Sequence, residues 1–205
     1  ALKEINLSID KGELLAITGP SGSGKSTLMH IIGCLDQPDE GDYRLEGEMV
    51  SNLTTDKLSI IRNKKIGFVF QNFFLLPYIS AYENIELPMI FAGIKKKARK
   101  ERVEHLLELT GMTLWSSHKP NEMSGGQQQR IAIARALANN PEIILADEPT
   151  GNLDSNSGQN IIQVFNQLWQ EGKTIIMITH DQNIAKNCKR QVKLVDGYID
   201  NDIIQ

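Results

Sequence analysis

The chain has 205 residues, of which 22 are basic and 25 acidic, so its formal net charge is -3. Because positive charge is not in excess, the composition argues against a protein that holds nucleic acid by bulk charge. Apolar residues make up 40% of the chain and charged residues 23%, which is close to ordinary globular usage and argues against disorder. The length is sufficient for one well-formed hydrophobic core.

Neither a membrane span nor a disulfide is predicted. The longest stretch without a charged residue, 66–82, contains amide side chains and Pro77, so we do not expect this chain to cross a bilayer. Cys34 and Cys188 have no partner at disulfide or metal-ligand spacing, and no secretion signal is recognisable. We therefore expect two buried cysteines in a reducing cytosol.

A short apolar run, Leu14–Thr18, leads into a glycine-rich segment and then into the helical composition of residues 25–32, which predicts a strand, a loop and a helix. Residues 19–26 match the phosphate-loop pattern G-x-x-x-x-G-K-[ST] in that context. The residues predicted to bind the phosphates are Gly19, Pro20, Ser21, Gly22, Ser23, Gly24, Lys25, Ser26 and Thr27.

The chemistry of phosphate binding explains the residue types found in this loop. Glycines leave room for successive backbone N–H groups to converge on phosphate oxygens, and the following helix adds its positive dipole end. Lys25 supplies a full charge toward the terminal phosphates, the Ser26 hydroxyl suits Mg²⁺, and Thr27 helps to hold the phosphates. The sequence therefore predicts a nucleoside triphosphate site.

Two further isoleucine-rich runs, 143–146 and 174–179, are typical of strands covered by helices on both faces of a parallel sheet. Helical patterns at 127–138 and 161–168 alternate with them, which predicts an α/β layered core. Residues 1–18 and about 40–70 are expected to form short antiparallel strands and turns, and residues 80–122 to be mostly helical.

Two adjacent carboxylates follow the strand predicted at 143–146. Asp147, at the strand end, is expected to hold the hydration shell of Mg²⁺, and Glu148 to accept a proton from a water that attacks the γ-phosphorus. Two adjacent carboxylates after a strand are by themselves weak evidence for a catalytic site, but together with the phosphate loop they are strong evidence.

The segment Met123–Gln127 resembles the LSGGQ signature of ATP-binding cassette (ABC) ATPases, with Met in place of Leu. Gln71 matches the Q-loop of that family, residues 151–154 its D-loop and His180 its switch histidine. The resemblance implies one domain, 1–205, with a P-loop NTPase core of mainly parallel sheet flanked by helices. It further implies an antiparallel β subdomain (about 1–18 and 40–70) and a helical subdomain (about 76–123).

The resemblance also implies a head-to-tail homodimer with ATP and Mg²⁺ at the interface. The signature of one copy would close over the nucleotide on the phosphate loop of the other, through Ser124, Gly125, Gly126 and Gln127. These residues begin a helix, and a helix N-terminus binds anions, as the phosphate loop does. By the same resemblance Gln71 would touch the metal and the attacking water, and Glu148 would be the general base. His180 would contact the γ-phosphate, and Asp154 would couple the two sites.

Within the family, residues 32–36, 67–71 and 83–88 resemble the MacB and LolD group. This implies a peripheral protein on the cytoplasmic face of a bacterial membrane, with a MacB-like membrane subunit or fused membrane domain, a possible periplasmic adaptor and no nucleic acid. The exported cargo would be a peptide, drug or lipoprotein. An FtsE-like regulatory ATPase that switches a membrane partner without transporting a solute is the alternative.

Two features leave alternatives open. The apolar cluster 73–79 after Gln71 is either core of the helical subdomain or a groove that receives the membrane subunit. No aromatic residue precedes Gly19, whereas family members carry one there that stacks on adenine. Either the natural chain continues upstream, which we favour, or the adenine is held more weakly.

Overall fold

A computed structural model describes residues 2–204 of the chain. The strands are β1 (Leu14–Thr18), β2 (Arg44–Leu45), β3 (Glu48–Met49), β4 (Ile66–Phe70), β5 (Ile143–Asp147), β6 (Thr174–Ile178), β7 (Arg190–Val195) and β8 (Tyr198–Ile204). The helices are α1 (Lys25–Ile32), α2 (Thr55–Lys65), α3 (Ala81–Phe91), α4 (Lys96–Leu109), α5 (Gly125–Ala136), α6 (Ser155–Gln170) and α7 (Gln182–Asn187). Two 3-10 turns, Thr113–Trp115 and Pro120–Glu122, lie between α4 and α5.

A six-stranded sheet in the order β4-β5-β6-β1-β7-β8 forms the centre of the protein. All neighbours in it are parallel except β7 and β8. The register places Phe70 opposite Asp147, and Ile178 opposite both Asp147 and Ile17. The carboxyl ends of β1, β4, β5 and β6 therefore lie along one edge of the sheet, where open α/β sheets bind their ligands.

Alternation along the strands divides the core into two layers. Leu14 and Ala16 of β1 face the layer formed with α5 and α6, whereas Leu15 and Ile17 face the layer formed with α1. Every residue of β1 and β6 is buried. Burial on both faces explains why these strands are apolar throughout, and it confirms the predicted α/β core.

The structure corrects the prediction for residues 1–18 and 40–70. Residues 2–13 contain neither helix nor strand, Leu14–Thr18 and Ile66–Phe70 are parallel strands of the central sheet, and the antiparallel pairing within these two ranges is limited to the two-residue pair β2–β3. Residues 55–65 form a helix, because Leu58 and Ile61 are buried at helical spacing. The ends of the predicted domain, residues 1 and 205, lie outside the described residues, and the subdomain boundaries stay predictions.

The helix predicted at 127–138 begins two residues earlier, at Gly125, and ends at Ala136. Cys34 and Cys188 are both buried and unpaired, as expected, and burial raises the pKa of the Cys188 thiol to about 12. Within residues 2–204, no helix combines the length and the apolar character that a membrane crossing needs.

The first prediction concerns Phe165, which is fully buried in the layer that contains α5 and α6. Phe165→Ala removes this ring and leaves a cavity, so we expect the free energy of unfolding to fall by about 3–5 kcal/mol. The matched control is Phe91→Ala, because Phe91 is 75% exposed and its loss is expected to change stability by less than about 0.5 kcal/mol. Equal losses in urea denaturation of the two variants would contradict the assignment of the core.

Candidate functional site

The phosphate loop follows β1 and has a backbone that requires glycine. Gly19 has φ 146, and a Cβ there would lie 2.1 Å from the carbonyl oxygen of Leu194. Gly24, with φ 103, caps α1 without a side-chain hydrogen bond, so the amides of the first turn have no side-chain partner. These amides and the positive end of the helix dipole are suited to bind an anion.

The side chains of the loop fit phosphate binding. The Lys25 Nζ donates to the carbonyl oxygens of Gly19 (2.9 Å) and Pro20 (2.7 Å), which holds its charge over the loop. Ser26 is exposed in the first helical turn and Thr27 is half-buried. The Ser23 hydroxyl is buried and has no hydrogen-bond partner among the described residues, so a polar group of the loop is left for a ligand to satisfy.

Asp147 ends β5 and is half-buried. Burial raises the pKa of its carboxyl, the nearby charge of Glu148 raises it further, and His30 and Lys25 act in the opposite direction. Within residues 2–204 no three His, Cys, Asp or Glu side chains are grouped closely enough to hold a metal. One carboxylate and one hydroxyl suit Mg²⁺, which usually completes its oxygen shell with substrate phosphates and water.

Glu148 is tied to the end of β6. Its Oε1 lies 2.6 Å from His180 Nδ1 and accepts a 2.9 Å hydrogen bond from the backbone N–H of His180. Its Oε2 accepts a 3.2 Å bond from the Thr179 hydroxyl. The Glu148 side chain is 19% exposed and that of His180 77% exposed, so the pair faces the sheet edge with the carboxylate inside. Thr179 was not predicted to contribute to the site.

Gln71 follows β4 and is held by the D-loop segment. Its Nε2 donates to Asn152 Oδ1 (3.1 Å), and Asn152 Nδ2 donates to the Gln71 carbonyl (3.1 Å) and to Asn72 Oδ1 (2.7 Å). A Cβ on Gly151 would lie 2.6 Å from Gln71 Nε2. The described residues contain no hydrogen bond from the Gln71 side chain to the phosphate loop or to Asp147. Sequence reasoning missed the role of Asn152.

The signature residues form a separate helix start. Ser124 caps α5 in a capping box, in which Gln127 N–H donates to Ser124 Oγ (3.4 Å) and Ser124 N–H donates to Gln127 Oε1 (2.8 Å). A Cβ on Gly125 or Gly126 would lie 3.3 Å from Leu153 or 3.0 Å from Ser157. No hydrogen bond joins these residues to the phosphate loop within the described chain.

Asp154 caps the neighbouring helix α6. Its Oδ1 accepts hydrogen bonds from the N–H groups of Asn156 (3.1 Å) and Ser157 (3.0 Å). The hydrogen bonds from the Ser157 side chain and backbone are the main cause of the lowered pKa of this carboxyl. Because α5 begins against residues 153 and 157, two helix N-termini lie side by side.

The comparisons with known proteins agree with this geometry. The family model described as ABC transporter matches residues 2–151. The chain belongs to the ABC transporter ATPase family. Among its relatives, an uncharacterized ABC transporter ATP-binding protein of Thermotoga maritima is 52% identical over 200 residues, covering 98% of this chain and 86% of that protein. The uncharacterized ATP-binding protein YvrO of Bacillus subtilis is 55% identical over 196 residues, covering 96% and 86%.

Several relatives are longer proteins, of which this chain spans less than a third. The macrolide export ATP-binding/permease protein MacB of Mannheimia succiniciproducens is 52% identical over 201 residues, which is 98% of this chain but only 31% of that protein. The solved ATP-binding cassette MJ0796, a dimer in a post-hydrolysis state with ADP and phosphate, superposes with a TM-score of 0.89 at 48% identity, covering 99% of this chain and 90% of that one. The predictions of an ABC-type fold and of an ATP-binding ATPase are confirmed.

A pH-dependent effect follows from the raised pKa of Asp147. A carboxyl with a higher pKa in the folded than in the unfolded chain favours folding below the unfolded pKa, and this contribution is lost as the pH rises through the folded pKa. At pH 7 the charged Asp147 therefore opposes folding. In chelator-treated, nucleotide-free protein, we expect Asp147→Asn to increase the free energy of unfolding by roughly 1 kcal/mol or less, because the group is half exposed.

This gain should shrink as the pH falls toward about 4. Urea denaturation at several pH values measures it, with Asp39→Asn in an exposed loop as the control that should change little. A loss of stability in Asp147→Asn at pH 7 would contradict the assigned charge effect.

Proposed function

We propose that this chain is the ATP-hydrolysing subunit of an ABC transporter that dimerises on ATP and Mg²⁺ and drives a MacB-like membrane partner in the export of a peptide, drug or lipoprotein. The observation that carries the proposal is the placement of the phosphate loop, Asp147 and the Glu148–His180 pair along one sheet edge. The proposal is supported by the family match and by the MacB name of several relatives.

Within one subunit, the loop amides and the Lys25 ammonium hold the phosphates. Ser26 and Asp147, with Gln71, are the residues that would hold Mg²⁺, which neutralises phosphate charge when it is bound. Phosphoryl transfer depends mainly on the positions of the reacting groups and on the stabilisation of their charge. The phosphate loop therefore contributes by positioning the triphosphate before any proton is transferred.

Glu148 then acts on the attacking water. The water oxygen forms a bond to the γ-phosphorus as the bond from that phosphorus to the bridging oxygen of ADP breaks, and a water proton passes to the Glu148 carboxylate. Three hydrogen-bond contacts from Thr179 and His180 fix this carboxylate, so it cannot rotate away from the sheet edge. In the proposed dimer His180 also reaches the γ-phosphate.

The second copy completes the site in this proposal. Ser124–Gln127 form a helix start that packs on its own D-loop and presents the amides of Gly125 and Gly126. In a head-to-tail pair these amides meet the nucleotide on the phosphate loop of the other copy, with Asp154 near the interface. The dimeric state of the solved relative MJ0796 supports this arrangement.

A docking face for the membrane partner lies directly after Gln71. In the apolar cluster 73–79, Leu75 packs against the core, but Phe74, Leu76 and Tyr78 are 61%, 46% and 87% exposed. Three exposed apolar side chains in five residues form a patch that favours a protein contact. We propose that the membrane subunit binds here, on the cytoplasmic side. The periplasmic adaptor stays a prediction.

The general-base role predicts the behaviour of Glu148→Gln. We expect this variant to bind ATP normally, to lose about 10²–10⁴-fold in turnover and to accumulate as a nucleotide-bound dimer, because only the proton acceptor is removed. Glu142→Gln is the matched control, since Glu142 precedes the same strand at its opposite end and pairs with Lys11. Light scattering with ATP measures the dimer. A monomer with undiminished turnover would refute the role.

The head-to-tail arrangement predicts complementation between two inactive variants. Lys25→Ala destroys the phosphate loop and Ser124→Arg the signature, so each protein alone has no complete site. In a mixed dimer, the intact loop of one variant meets the intact signature of the other, and single-turnover hydrolysis of ATP should return. Mixing Lys25→Ala with the double variant Lys25→Ala/Ser124→Arg is the control without an intact loop. No recovery in the first mixture would exclude this dimer.

A further inference from the structure

The turn Gln71–Phe74, which connects β4 to the docking face, has a strained backbone. Phe73 and Phe74 are successive left-handed residues, with φ 59 and 46. The Phe73 N–H donates to the Phe70 carbonyl (3.1 Å), and the Phe74 N–H to the Asn72 carbonyl (2.5 Å). Bulky side chains disfavour this conformation, which persists only where surrounding contacts impose it.

Arg135 makes those contacts. From the last turn of α5, its Nη1 donates to the Phe74 carbonyl (2.5 Å) and its Nη2 to the Phe73 carbonyl (2.7 Å). No carboxylate within the described residues lies at ion-pair distance from Arg135, and burial lowers the pKa of its guanidinium. A planar fork of donors suits two adjacent carbonyls, and each carbonyl keeps its direction while the fork is in place.

The turn also contacts the other end of α5. The Phe73 ring lies 3.6 Å from the position that a Cβ on Gly125 would occupy, in the first turn of that helix. Helix α5, which begins at the signature, therefore contacts this turn near its first residue and near its last. Asn152 also holds the turn, through hydrogen bonds with Gln71 and Asn72.

We propose that Arg135 is a positioning residue, which holds Phe73 and Phe74 in the left-handed conformation and thereby fixes Gln71, the docking face and helix α5 relative to one another. The inference rests on the proposed function, because it takes Gln71 as part of the hydrolysis site. A residue that only stabilised the fold would change the denaturation midpoint and would leave the turn unaffected.

The test compares Arg135→Met with Arg130→Met. Methionine keeps an apolar stem and removes the donors, and Arg130, on the same helix, donates to the Thr110 carbonyl (3.0 Å) away from the turn. In Arg135→Met we expect the backbone amides of Phe73 and Phe74 to exchange hydrogen at least about tenfold faster, because the hydrogen bonds that they donate within the turn open more often. Turnover should fall about tenfold with little change in KM for ATP, since misplacement of Gln71 affects the reacting geometry. Arg130→Met should change neither quantity.

A rescue variant tests the conformational argument. Arg135→Met/Phe74→Gly places glycine, which adopts positive φ freely, at one of the two strained positions. We expect it to recover part of the turnover that Arg135→Met loses, measured without a membrane partner because Phe74 lies in the docking face; recovery is incomplete because the edge-to-face contact of Phe74 with Phe70 is also lost. Unchanged exchange in Arg135→Met, equal effects in Arg130→Met, or no rescue by Phe74→Gly would each overturn the proposal.

The variant Gln71→Ala distinguishes a failure of the positioning role of Arg135 from a failure of the proposed hydrolysis site. If it lowers turnover while Arg135→Met accelerates exchange without affecting turnover, the positioning role is wrong and the hydrolysis site stands. If Gln71→Ala leaves turnover unchanged, the proposed function fails at Gln71, and with it the functional consequence assigned to Arg135.

Discussion

The parallel pairing of β1, β4, β5 and β6 is the constraint on which the site depends. Each of these strands ends at the same edge of the sheet, so the residue that follows each strand is delivered to one place. A shift of one residue in any strand would exchange the two buried faces of that strand. The burial of both core layers therefore fixes the positions of the phosphate loop, the two carboxylates and Gln71.

Two neighbouring carboxylates at that edge have different environments. Asp147 ends the strand, and the charges of Lys25 and His30 act on its carboxyl. Glu148 has φ 44, and this turn of the backbone directs its carboxylate to Thr179 and His180 at the end of β6. One local change of backbone direction thus separates a pair of like charges, and this separation supports the different roles that we propose for them, metal binding for Asp147 and proton transfer for Glu148.

The sequence predicted the features that depend on local pattern and failed where the deciding contacts are distant. Continuous isoleucine runs indicated the parallel core, and glycine spacing indicated the phosphate loop. The helix at 55–65 was missed because turn residues before it, such as Gly41 and Gly47, outweighed two buried residues inside it. Contacts such as Gln71 with Asn152 join residues 81 positions apart, and no local pattern encodes them.

The glycines of the signature are also required for packing within their own subunit. Gly125 and Gly126 begin α5 against Leu153 and Ser157, where a methyl group would meet atoms at 3.3 and 3.0 Å. A side chain there would require the Leu153 and Ser157 side chains to move by a few tenths of an ångström, so it would change the packing of α5 even without nucleotide. The absence of a side chain at both positions is therefore a requirement of the folded subunit itself, and it would hold for a protein with this packing whether or not it hydrolyses ATP.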